Sequence, residues 1–247
     1  MSPSIRFVIV GAQRTGSSAL AEAIGDHPDV ACGWEWTQRT QPWERIRIAQ
    51  RALQGDYTAL PKKHRSHMED LGARPVVGFR RLFRSSELWL LHPRHSPALW
   101  FDRLEAHIKW LRSNGDIRIV HIVRRDDMAW LRSKALSAAT GLYAGRQYPS
   151  DVSIRIPPRA ALRRVAAKDW LDARLASLRE TNPYLLSPYE DFLADNRSQA
   201  TRVLRFLGCD ETRLPESRQR LKVQSNRRVE YISNASELKA LLEDRKV

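Results

Sequence analysis

The residues best equipped for chemistry crowd into one stretch, "FVIVGAQRTGSSAL", residues 7–20. Gly11 and Gly16 stand at the G-x-x-x-x-G spacing of a phosphate loop, in which backbone N–H groups and the start of the next helix cradle an anion. A nucleotide triphosphatase continues that pattern with Lys and then Ser or Thr. Here Ser17 and Ser18 take those places, so the lysine that reaches terminal phosphates is missing. An arginine, Arg14, lies inside the loop instead. Its planar fork suits phosphate or sulfate bidentately, and the hydroxyls of Ser17 and Ser18 can donate to the same oxygens. Such a loop neutralises charge without a metal ion, which suits transfer from a donor whose leaving group is a phosphate monoester.

A second pattern is independent of the first. In "VRRDDMAWLRS" (123–133), Arg125 lies where a strand passes into a helix and Ser133 follows eight residues later, about two turns into that helix. The pair can converge on one further phosphate. Two other readings stand beside this one. A nucleotide or small-molecule kinase using Mg-ATP needs an acidic residue ending a neighbouring strand. The strand "RIVHIV" ends instead in Arg124 and Arg125, whose charge opposes a metal, although Asp126 and Asp127 follow at once. The last reading is a basic nucleic-acid-binding domain without catalysis. The net charge of +14 points to an anionic partner. Arginine tracts interleaved with aromatics are absent, which makes nucleic acid the weaker choice.

The elements around these motifs alternate between strand and helix. "IRFVIV" (5–10) is a continuous apolar run of the kind a parallel strand covered on both faces shows. It leads straight into the loop, without a separate apolar leader region. "SSALAEAIG" follows as a helix with Gly25 as its C-terminal cap. Further strands are predicted at 29–34, 76–79 and 116–123, with a short one and a turn inside 183–193. Helices are predicted at 96–115, 127–140 (stopped by Gly141), 159–179, 197–208 (closed by Gly208) and 237–242, and in part over 37–70. Residues 142–158, with tandem proline and tyrosines including Tyr143 and Tyr148, read as a loop or lid. Residues 217–247 form a basic C-terminal segment. The expectation is one α/β domain over 1–247, of P-loop type, with a mostly parallel β-sheet flanked by helices. No apolar run approaches the roughly 18–20 residues of a membrane helix. Two cysteines among 247 residues make neither a disulfide framework nor a zinc site, so a cytoplasmic, reduced protein is expected.

Taken together, "QRTGSS" and "RRDDMAWLRS" resemble the sulfotransferases that use 3′-phosphoadenosine 5′-phosphosulfate. The resemblance implies that Arg14, Thr15, Gly16, Ser17 and Ser18 bind the 5′-phosphosulfate and that Arg125 and Ser133 bind the 3′-phosphate. Arg14 stands where the cytosolic small-molecule enzymes of that family carry lysine, and in this it is similar to the bacterial carbohydrate and nodulation-factor branch. "DHPDV", "GFR" at 78–80, "YEDFL" at 189–193 and "ISN" at 232–234 followed by Glu237-Leu238 are similar to spaced landmarks of that branch. The family also places a basic C-terminal loop over the nucleotide, which implies Lys222, Arg227 or Arg228. It further implies a sulfotransferase-like fold, adenosine 3′,5′-bisphosphate as product and no metal.

For the acceptor side, Glu35 in "CGWEW" is similar to the glutamate that serves as general base in the bacterial branch. A positioned base contributes about 10²- to 10⁴-fold in rate. Trp34 and Trp36 flank it and either face a sugar ring or belong to the core. Arg80, after "VVGF", is expected to contact the acceptor or the transferring sulfate. His27, beside Pro28 at a helix end, reads as structural, and His121, in mid-strand, as a core histidine. The resemblance implies a small-molecule or glycan acceptor, with a carbohydrate or glycolipid hydroxyl preferred. The basic charge also leaves room for peripheral contact with an acidic membrane.

Overall fold

β1 (Ile5–Ala12) is apolar along nearly its whole length because both of its faces are covered. Alternate residues point to opposite sides of a sheet, and here each side has its own core. Phe7 and Ile9 pack with Val120 and Ile122 against Leu20 and Ile24 of α1 (Ser17–Gly25) and against α8 (Asn196–Phe206). Val8, Val10 and Ala12 pack on the other side with α2 (Pro42–Leu53), α4 (Pro97–Arg112) and α6 (Pro158–Ala176). The structure is a computed structural model that describes residues 5–33, 42–60, 62–70, 74–83, 97–142, 148–215 and 231–245. Trp34, Glu35, Trp36, Tyr143, Lys222, Arg227 and Arg228 lie outside the described residues.

The remaining strands are β2 (Val30–Gly33), β3 (Val76–Phe83), β4 (Arg118–Val123) and β5 (Tyr184–Pro188), and every pairing is parallel. Their order across the sheet is β2-β3-β1-β4-β5. The expected mostly parallel sheet flanked by helices is therefore the fold observed. The other helices are α3 (Lys62–Asp70), α5 (Asp127–Thr140), α7 (Tyr189–Ala194) and α9 (Ala235–Asp244). A third cluster, with Trp130, Leu131, Val165, Leu238 and Leu242, joins α5, α6 and α9. Among the described residues, no helix is long and apolar enough to cross a membrane.

Sequence signals locate most helix ends well. Gly141 caps α5 at φ 67°, and Gly208 closes α8 at φ 74°, both left-handed conformations that glycine adopts at little cost. Gly25 differs: it is not among the positive-φ residues, and Asp26 ends the helix in a right-handed conformation. β3 runs four residues past the predicted strand, because its pairing with β1 continues to Phe83 opposite Ala12. "YEDFL" is the start of a helix rather than a turn. The described part of the expected lid is pinned, since Ile154 pairs with Ile232 in a parallel bridge.

At Gly78 the sheet has no room for a side chain. A Cβ there would lie 2.4 Å from the ring of Phe7, its neighbour on β1. Gly78→Ala should destabilise the protein by about 1–3 kcal/mol, as overpacked cores do, and urea unfolding at neutral pH measures it.

Candidate active site

The strand order sends α1 towards one edge of the sheet and α5 towards the other, which opens a crevice where β1 and β4 end. The loop Gln13–Gly16 lies there. Thr15, fully buried, donates its hydroxyl to Ala12 O at 2.7 Å and closes the turn. Gly16 then takes φ 87° as the N-cap of α1. A Cβ on Gly16 would lie 2.1 Å from the ring of Tyr189, so glycine is demanded both by φ and by this contact. No side chain caps α1 and its first turn holds no acidic residue, so the positive end of the helix is open to an anion.

α5 grips the loop with one face. Trp130, Ser133 and Lys134 stand three and four residues apart, the spacing that aligns side chains on a helix. Trp130 Nε1 donates to Gln13 O (2.9 Å), Lys134 Nζ to Gln13 Oε1 (3.0 Å), and Ser133 Oγ accepts from Arg14 Nε (3.0 Å). Arg14 adopts φ 70°, alone among described non-glycine residues. That conformation costs about 1–3 kcal/mol and persists only where its surroundings enforce it. One enforcing contact is Arg124, which donates from its guanidinium to Arg14 O at 3.1 Å. Arg14 also donates to the Tyr148 hydroxyl at 3.3 Å.

Of the residues singled out from sequence, Arg14, Thr15, Gly16, Ser17, Ser18, Arg80 and Ser133 are joined through these contacts. Arg80 lies inside β3, only 5% exposed, and donates to Ser18 Oγ. It thus belongs with the first loop rather than with an open acceptor surface. Arg125 is exposed at the end of β4 and pairs with Asp191 at 3.3 Å, an ion pair weak enough to yield to a ligand. Tyr148, expected in a lid, is instead buried at 7% exposure. His27 is fully buried: its Nδ1 accepts from Asp29 N (3.2 Å), so Nε2 carries the proton donated to Asp210 O (2.8 Å). His121 is buried between Tyr184 and Asp172. Both histidines are structural, as their sequence positions suggest.

Sequence reasoning assigns Arg124 and Glu190 no binding role at the site, and Asp126 and Asp127 only that of metal ligands in the kinase reading. Arg124 stacks its guanidinium 4.9 Å over the ring of Tyr189, and burial pulls it below the usual arginine range. Glu190 accepts from the backbone N–H groups of Arg125 and Asp126, each at 3.1 Å, and shapes the turn after β4. The sequence signal for these roles is "YED" directly after a strand. Asp126 accepts from Ala129 N at 2.8 Å as the N-cap of α5. Asp127 faces Lys168 Nζ at 3.2 Å. The two carboxylates of the kinase reading are thus committed to a cap and an ion pair.

Comparisons with known proteins identify the family and match the fold. The profile of the Sulfotransferase family matches residues 6–213. No curated protein matches the chain. Among solved structures, a sulfotransferase from Alicyclobacillus acidocaldarius is similar at 16% identity and a TM-score of 0.51, over 99% of this chain and 92% of that one, and shares the fold. The sulfotransferase domain of the Synechococcus PCC 7002 olefin synthase aligns more loosely, at 13% identity and a TM-score of 0.45 over 85% and 75%. So does a sugar kinase from Janibacter sp. HTCC2649, at 13% identity and a TM-score of 0.37 over 86% and 99%.

Lys168, 4% exposed on α6, supports the crevice from behind. Its ammonium donates to Arg124 O at 3.3 Å and lies 3.0 Å from Asp169 and 3.7 Å from Asp172 as well as beside Asp127. Burial alone would depress it, but the carboxylates of Asp172, Asp169 and Asp127 outweigh burial and hold it above its ordinary 10.5. A raised folded-state value means that its contribution to stability is complete below 10.5 and is lost as pH climbs through the folded value. Lys168→Met should cost about 3–5 kcal/mol at pH 7 by stranding the buried Asp127 carboxylate and leaving its half-buried neighbours Asp169 and Asp172 unpaired with it. Between neutral and high pH, the difference from wild type in urea unfolding should shrink only in strongly alkaline buffer.

Proposed function

Because the chain belongs to the Sulfotransferase family, we propose that it moves a sulfuryl group from 3′-phosphoadenosine 5′-phosphosulfate to an acceptor hydroxyl on a carbohydrate or glycolipid, in the manner of the bacterial carbohydrate and nodulation-factor branch. The observation that carries this reading is the 3.0 Å hydrogen bond from Arg14 to Ser133. It joins two anion-binding patterns 119 residues apart, so the loop suited to the 5′-phosphosulfate and the helix suited to the 3′-phosphate face one crevice. The open end of α1 and the arginines Arg14, Arg80, Arg124 and Arg125 fit a donor with phosphate at both ends of its ribose. Asp126, Asp127 and Glu190 are each engaged by the protein itself, which counts against a kinase that must hold magnesium there.

In the proposed reaction the acceptor oxygen attacks sulfur in line with the departing phosphate. The sulfur–oxygen bond to the 5′-phosphate breaks, its electron pair stays on that phosphate oxygen, and adenosine 3′,5′-bisphosphate leaves. Arg14 and the N–H groups at the start of α1 meet the charge growing on that oxygen. The Thr15 hydroxyl is already engaged with Ala12 O, so Thr15 acts through its backbone. Ser17 and Ser18 donate to the same group, with Arg80 polarising Ser18. Arg125 and Ser133 neutralise the 3′-phosphate, and Lys222, Arg227 or Arg228 covers the nucleotide. Glu35 takes the acceptor proton, with Trp34 and Trp36 beside a sugar ring. Glu35 comes two residues after β2, which ends at the same carboxyl edge of the sheet as β1.

A metal-free thermal-shift titration with adenosine 3′,5′-bisphosphate, run beside Mg-ATP, tests the donor. At about 100 times the dissociation constant the bisphosphate should add roughly 2.7 kcal/mol of stability, seen as a higher melting temperature. The shift should vanish in Arg125→Ala. A shift with Mg-ATP alone sinks the sulfotransferase reading. Glu35→Ala should keep the bisphosphate shift while sulfuryl transfer slows about 10²- to 10⁴-fold; unchanged turnover removes Glu35 as the base.

A further inference from the structure

We propose that Tyr148 is a positioning residue for the transfer reaction: its hydroxyl fixes the Arg14 guanidinium in the plane that engages the 5′-phosphate end of the donor. The inference rests on the donor reading above and adds a residue outside both anion-binding patterns. Arg14 needs such support. A free arginine side chain carries rotamer entropy that a ligand must otherwise overcome on binding. Two oxygen acceptors on different elements reduce that cost. Ser133 Oγ on α5 receives the Nε proton at 3.0 Å, and the Tyr148 hydroxyl receives a terminal N–H at 3.3 Å. A planar fork held at two of its nitrogens can no longer rotate about its last bonds.

Tyr148 can serve as a fixed point because it is fixed itself. Its ring packs with Leu136 of α5 and meets Tyr231 edge-on, with centroids 6.1 Å apart. Tyr231, 2% exposed, donates its hydroxyl to Tyr148 O at 3.4 Å. The next residues continue the clasp: Ile154 N donates to Tyr231 O (2.8 Å), Ser233 N donates to Ile154 O (3.0 Å), and the Asn234 side chain brackets Ile156 by donating to its carbonyl (2.9 Å) and accepting from its N–H (3.1 Å). The C-terminal residues from Tyr231 onward therefore hold Tyr148, and Tyr148 holds Arg14. A tyrosine that served only as core would have no use for a hydroxyl directed at the loop arginine.

Calorimetric titration of wild type, Tyr148→Phe, Arg14→Ala and the double variant tests this with two probes, adenosine 3′,5′-bisphosphate and adenosine 3′-monophosphate. Phenylalanine keeps the ring against Leu136 and Tyr231 and removes only the hydroxyl. Loss of a hydrogen bond to a charged group should weaken bisphosphate binding about ten-fold in Tyr148→Phe. Binding of the 3′-monophosphate, which lacks the group Arg14 engages, should stay unchanged. In the Arg14→Ala background the tyrosine change should have no further effect. An equal loss for both nucleotides, the same loss without Arg14, or no loss at all overturns the role of Tyr148. Wild type that binds neither nucleotide overturns the donor reading and this inference with it, whereas binding by wild type with an indifferent Tyr148→Phe overturns the inference alone.

Discussion

Everything at the crevice depends on keeping the positive end of α1 open. A helix start that is neither capped by a side chain nor faced by an acid in its first turn concentrates partial positive charge. Here arginines surround it as well, and the protein must hold these like charges close together before any anion arrives. Carboxylates on neighbouring elements offset part of this positive charge. Glu190 takes backbone N–H groups after β4, Asp191 pairs with Arg125, and Asp127 faces Lys168.

The loop has little shape of its own. Four residues with two demands for unusual backbone, at Arg14 and Gly16, would not hold that form in isolation. One face of α5 supplies the hold through Trp130, Ser133 and Lys134, and Tyr189 closes over Gly16. α5 is in turn fixed by the Asp126 cap and by burial of Trp130 and Leu131 against α6 and α9. The buried set of Lys168, Asp127, Asp172 and His121 lies beneath, on the same side of the sheet as α6. Groups buried in this way are tolerable only because each meets an opposite charge or a hydrogen-bond partner.

This arrangement separates two kinds of contribution. Under the proposed donor reading, the residues that touch the anion fall in two short patterns 119 residues apart. Residues that orient them come from α5, α6, α7 and the C-terminal clasp, and are spread over more than a hundred positions. Substitution in the second group acts on geometry, through Arg14, Arg124 or the turn after β4, and its effect on the site is separated from its effect on stability by binding measured on ligands that differ at one end.

Local sequence determined the parts whose causes are local. The run "IRFVIV" had to be a strand covered on both faces, "GAQRTGSS" a loop opening a helix, and Gly141 and Gly208 helix stops, because periodicity and φ preference act over a few residues. The types and spacing in the two anion patterns likewise announced a loop for phosphate or sulfate without the usual lysine. Tertiary structure decided what depends on partners far along the chain. It buried Arg124 against Tyr189 and left Arg125 exposed, although the two are adjacent and identical in type. It ran β3 on past Phe79, because β1 offers partners as far as Phe83, and so set Arg80 inside the sheet against Ser18. It turned Tyr148 from an expected lid residue into a buried support for Arg14. No pattern in the chain encodes these pairings; they follow from the strand order together with the C-terminal clasp, which bring residues 14, 133 and 148 to one place.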